Sequence, residues 1–273
     1  MNGVQFFYHN AAFAAKQPAA AADYCFKSRN RVGLCEVLRR APGMRGATPS
    51  SPSKDAPMRR YLQGTLDFAC GIYAVINALS LTHSLDLAGA RAIFRETHLD
   101  ITAHPDLWAD YTGNNTDHYW LVRHMLGRWC SAPPHRLRVT RPFGEEWSGA
   151  PSLASAKRYL PENHPPSGPL NRAEAAREAE QTWRAAHDWL TPAGTPPRAL
   201  LMRFHRFVPG MQAPIVSHWT TGKCFEGAVL HLHDASSEPR ALLSLPRNIL
   251  VTDGGERAPV RIVPESLFLL EKA

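Results

Sequence analysis

The chain has 273 residues, of which 44% are hydrophobic and 20% charged, with a formal net charge of +7. That apolar share is enough for one sizeable core, and no run of it reaches the length of a membrane span. Of the 31 Lys/Arg and 24 Asp/Glu, residues 1–60 carry ten basic and three acidic, which leaves 21 of each in the remainder. No aromatic-interleaved basic stripe enters that balanced body, so specific nucleic-acid binding is not expected.

Residues 1–57 read as an accessory, low-complexity arm or pro-region. They hold the Ala-rich "AAFAAKQPAAAA" and the breaker-rich "RGATPSSPSKDAP", with "RVGLCEVLRRA" between them as a short amphipathic helix. The basic, acid-poor composition also suits a transit peptide, whereas a charged-then-apolar Sec leader is missing. A cytoplasmic protein is the simplest reading, with a non-Sec secreted effector as the other.

From residue 58 the pattern becomes globular. "CGIYAVINALSL" places Ile72, Val75, Ile76 and Leu79 at helical spacing, opening on Cys70-Gly71. "DLAGARAIFRETHL" predicts a second helix capped by Asp86. A third covers residues 116–130, starting near Asn114, Asn115 or Thr116. Residues 131–170 are proline-rich and read as irregular. Residues 171–190 predict a strongly amphipathic fourth helix with Trp183, Ala186 and Leu190 along one face.

The texture then changes to strands: "RALLMRFHRF", "APIVSHWTTG", "GAVLHLHDAS", "ALLSLP" and "VRIVPESLFLLE". Helices first and strands second predict an α+β fold with an N-terminal helical layer packed on a C-terminal antiparallel sheet.

Cysteine usage narrows the chemistry. Five cysteines at wide spacing, with no CxxC, write neither a zinc ribbon nor a disulfide scaffold. Cys70 sits where a helix start offers unpaired N–H groups and a partial positive charge, both of which favour a thiolate. Alone it also reads as a small buried residue. His218, in the strand "PIVSHWTTG", has apolar neighbours and no charge nearby in sequence. Asp234 ends the next strand, and an antiparallel hairpin brings it beside His218, where a carboxylate fixes an imidazole. Gln63 precedes Cys70 and can donate to an oxyanion together with the Cys70 N–H.

Rival assignments are weaker. Cys130 closes a helix, where the dipole disfavours a thiolate. Cys224 reads as a turn residue with no activating base. His231 and His233 share one side of a strand and, with His218, form a zinc-type pattern; the alternative is two surface histidines on the polar side of an alternating strand. Asn77 reads as a polar contact inside the helical layer.

In their order along the chain, "QGTLDFACGIYAVINAL", "SHWTTG" and "VLHLHDAS" resemble papain-like cysteine peptidases, closest to the bacterial C39-like branch. The resemblance covers roughly residues 60–273 and implies a papain-like domain over 58–273. It implies Cys70 as nucleophile, His218 as general base and acid, Asp234 as orienting group and Gln63 as oxyanion donor. Gln63 lies seven residues before Cys70, a residue or two farther than the family pattern. No metal or organic cofactor is implied. The expected substrate is a protein or peptide whose peptide or isopeptide bond is hydrolysed. A glutamine deamidase or transglutaminase-like acyl transferase would use the same triad, and an inert binding module could keep the fold.

Overall fold

In the computed structural model the described residues are 60–62, 69–112, 119–131, 133–149, 172–192, 196–206, 216–236, 242–250 and 260–273. The arm assigned to residues 1–57, and with it the short helix read there, lies outside them, as does Gln63.

The first helix among the described residues is α1 (Cys70–His83), which is buried almost all round. Its bulky residues Ile72, Val75, Ile76 and Leu79 fill the core, while Gly71, Ala74 and Ala78 are small enough to let neighbours approach closely. Ser84 ends it in the left-handed conformation, its N–H donating to Ser80 O at 3.1 Å. Asp86 then caps α2 (Leu87–Thr102), accepting from Gly89 N at 2.7 Å. A further helix, α3 (Pro105–Thr112), follows in a stretch for which the sequence predicts no element. The third predicted helix is α4 (Tyr119–Trp129), and the residues expected to start it lie outside the described set.

The proline-rich region corrects the sequence reading. It contains β1 (Leu137–Thr140), which joins the sheet by pairing with the C-terminal strand β7 (Phe268–Lys272). After α5 (Arg172–Leu190) come β2 (Arg198–Arg206), β3 (Val216–Glu226), β4 (Val229–Leu232), β5 (Ser244–Pro246) and β6 (Val260–Ile262). The sheet order is β1-β7-β2-β3-β4-β5, and β6 pairs with β2 beyond the end of β7. Among the described residues these strand ladders are all antiparallel, and a single isolated bridge, Leu250 to Val260, is parallel.

Both faces of the sheet are covered. On β2, Ala199 and Leu201 join the core beneath α1 to α4, together with Trp219 of β3 and Phe268 and Leu270 of β7. The alternate residues Leu200, Met202 and Phe204 join a second core with Trp183 and Ala186 of α5. This is why "ALLM" reads as an unbroken apolar run rather than an alternation. Outside its apolar stripe, α5 is tied down by Glu178, which takes Arg261 of β6 at 2.7 and 2.9 Å. Among the described residues the fold is therefore mixed α+β, with four helices ahead of an antiparallel sheet and a fifth on the opposite face.

Candidate active site

One buried contact sets α1 against the strand that carries His218. Thr221 of β3 donates its hydroxyl to Ala74 O at 2.7 Å, in the buried interior. That bond holds the first turns of α1 over β3, so Cys70, the first helical residue, is carried toward the beginning of the strand. The preceding residue, Ala69, has no capping side chain, and Cys70 itself is 3% exposed.

The β3–β4 ladder explains how Asp234 arrives. Pairing runs from Glu226↔Val229 to Gly222↔Leu232, and His233 N adds one more bond to Thr221 O at 2.7 Å. Beyond that point β4 has ended, and Asp234 leaves the ladder beside His218. His218 Nε2 donates to Asp234 Oδ2 at 2.9 Å. The other carboxylate oxygen, Oδ1, accepts the Ser236 N–H at 2.7 Å, an Asx-type turn that fixes the carboxylate. Cys70 stands near enough to the same ring to act on its protonation. Phe204 packs edge-on to the imidazole, with ring centroids 5.5 Å apart.

The electrostatics follow from these neighbours. Burial pushes His218 toward its neutral form, but the hydrogen bonds to Asp234 and Cys70 and their charges outweigh it, and its pKa is raised to about 10. Burial pushes Asp234 up, yet the bond and charge of His218, the nearby Thr220 hydroxyl and the bond from the Ser236 N–H bring it below the ordinary carboxylate value. The pair is thus an imidazolium facing a carboxylate through the neutral range.

Of the predicted constellation, His218 and Asp234 are therefore bonded to each other, and Cys70 lies near the same imidazole. Gln63 lies outside the described residues. Two positions upstream, Tyr61 N–H donates to Asn77 Oδ1 at 2.8 Å, Asn77 Nδ2 returns a bond to Tyr61 O at 3.1 Å, and Tyr61 Oη donates to Leu85 O at 2.8 Å. Asn77 is thus a clamp on the Tyr61 backbone, a more specific role than the polar contact expected from the sequence. No family model matches this chain, and neither a curated protein nor a solved structure gives a significant match.

The rival cysteines behave differently. Cys130 is buried, and burial pushes its thiol up to about 12, which leaves it unreactive. Cys224 is inside β3 rather than in a turn. His231 stands opposite it in the ladder, but its Nε2 lies 3.2 Å from Glu226. His233 is buried, not on the polar surface as the strand alternation suggests. Among the described residues no group of three His, Cys, Asp or Glu is placed to hold a metal, so the His218, His231, His233 trio does not assemble. Among the described residues, too, no helix is long and apolar enough to cross a membrane. A groove of about 670 Å³ runs along α5 past Phe143, Gln181 and Ala185, and it touches none of Cys70, His218 and Asp234.

Proposed function

We propose that this chain is a cysteine hydrolase of papain-like fold that cleaves a peptide or isopeptide bond through a thioester. One observation carries the reading: a single imidazole bonds a carboxylate at 2.9 Å and stands near the cysteine that opens a helix. The buried nucleophile helix, the sheet it packs on and the chain order Cys, His, Asp support it further.

In this reading the Cys70 sulfur, beside the His218 ring, is the nucleophile. The sulfur attacks a carbonyl carbon, and the oxyanion is held by the Cys70 N–H at the start of α1, with Gln63 as the second donor. One such donor is worth about 3 kcal/mol of barrier. His218 passes its proton to the leaving amine, which departs and leaves the acyl group on sulfur. The now neutral imidazole takes a proton from water, whose oxygen attacks the thioester, and the thiolate–imidazolium pair is restored. Asp234 keeps the ring in one orientation and stabilises its charge throughout. His218 is the most open of the three, its side chain 15% exposed, so the substrate enters over the imidazole.

The test is hydrolysis of a random peptide library and of isopeptide-linked conjugates by the full chain, read by mass spectrometry. Cleavage that disappears in Cys70→Ala and in His218→Ala is the expected result. Full cleavage by both variants refutes the site. The mass gain of deamidation, or a crosslink in place of a cut, assigns the same triad to acyl transfer instead.

A further inference from the structure

The strand "SHWTTG" contains two adjacent threonines with opposite surroundings. Thr221 faces α1 and spends its hydroxyl on Ala74 O. Thr220 lies two residues from His218, on the same face of β3, opposite Met202 in the ladder. Thr220 is 1% exposed. Among the described residues its Oγ1 has no hydrogen-bond partner, and the β3–β4 register, with Gly222 opposite Leu232 and His233 N bonded to Thr221 O, brings Asp234 opposite it. Buried hydroxyls are rarely left unpaired, and catalytic hydrogen bonds often tighten only when substrate is bound.

We propose that Thr220 is a positioning residue for the Asp234–His218 pair, its hydroxyl closing onto the Asp234 carboxylate as the substrate complex forms. The proposal rests on the hydrolase reading above for its catalytic consequence, but not for the hydrogen bond itself. Asp234 then has three donors arranged around it: His218 Nε2 on Oδ2, Ser236 N on Oδ1 and Thr220 Oγ1. Three donors hold the carboxylate in plane and ionised, so the imidazole it carries stays aimed at Cys70. The charged group that faces Asp234 is His218 from β3, with Cys70 of α1 beyond the ring.

The variants are Thr220→Val, which keeps the volume and removes the donor, and Thr220→Ser, which keeps the donor. The first readout is the carboxyl titration of Asp234 by carbon NMR in the full chain, which needs no activity. Removing one donor to the charged form raises the Asp234 pKa by about one pH unit in the valine variant. The second readout is kinetic: kcat falls roughly tenfold with KM within about twofold, since the lost interaction matters in the transition state. The acid limb of kcat/KM moves to higher pH, while the alkaline limb, set by His218, does not move down. The serine variant restores all of these. A role in packing alone would lower activity without moving the Asp234 titration. An unmoved titration in Thr220→Val overturns the proposal even where Cys70 and His218 prove essential. Undiminished hydrolysis by Cys70→Ala signals the separate failure of the hydrolase reading, and Thr220's catalytic role falls with it.

Discussion

Replacing Asp234 by Asn removes a charge and preserves the shape around His218. In the native protein the imidazole is held at about 10 against an ordinary value of 6.5. At about 1.4 kcal/mol per pH unit, that displacement is on the order of 5 kcal/mol in favour of the charged ring. Loss of one member of a buried ion pair typically costs about 3–5 kcal/mol, so two independent routes agree on the size. Without Asp234, burial still pushes the ring toward neutrality and only the Cys70 contact opposes it. The His218 pKa in Asp234→Asn therefore falls by several pH units.

The pH dependence of stability has a definite sign. His218 is raised on folding, so its stabilisation is complete below its unfolded value of 6.5 and disappears as pH climbs to about 10. Asp234 is lowered from 3.8, so its stabilisation is present above that value and is lost as pH falls through the native one. Both are whole only between about pH 4 and pH 6.5. Urea unfolding of the native chain and of Asp234→Asn, at about pH 5.5 and about pH 9.5, reads this directly. The gap between the two proteins is about 3–5 kcal/mol at the lower pH and shrinks at the higher. A gap that stays constant, or widens toward alkaline pH, refutes the assignment, as does a native His218 that titrates near 6.5 by NMR.

Two further outcomes follow from packing. Asn77→Ala removes both bonds that hold the Tyr61 backbone and costs about 2–3 kcal/mol by denaturant unfolding; a loss under about 0.5 kcal/mol shows that the clamp is not structural. A methyl group at Gly222 would stand 2.6 Å from Leu200 Cδ1 and 2.7 Å from its Cγ. Gly222→Ala therefore costs about 1–3 kcal/mol, and adding Leu200→Val recovers part of it, a positive coupling in a double-mutant cycle. Strictly additive losses contradict that close approach.

What the sequence reveals depends on how locally each feature is specified. Cys70 is legible because Gly71 and an apolar helical period mark the helix start. Asp234 is legible because turn residues end its strand. His218 emerges from thirteen histidines only through its place in an apolar strand followed by Trp219. The three are far apart in sequence, and the β3–β4 ladder that ends at Thr221 is what joins two of them. Other features are set by partners that no local pattern announces. β1 is four residues at a sheet edge, too short to show alternation amid prolines. The amphipathic face of α5 tells that it packs, but not on which side of the sheet. Thr220 and Thr221 are indistinguishable as letters, and only strand register sends one to Asp234 and the other to α1. Asn77 finds its partner sixteen residues upstream, where no periodicity points to it.

The most direct measurement is the rate at which each thiol is alkylated by iodoacetamide at neutral pH, resolved by peptide mass spectrometry. The expected result is that Cys70 reacts at least about tenfold faster than Cys224, that Cys130 stays unlabelled, and that His218→Ala abolishes the advantage of Cys70. Labelling of Cys70 no faster than Cys224, or a rate indifferent to His218, would mean that the thiol and the imidazole do not act together and that this fold carries no cysteine hydrolase.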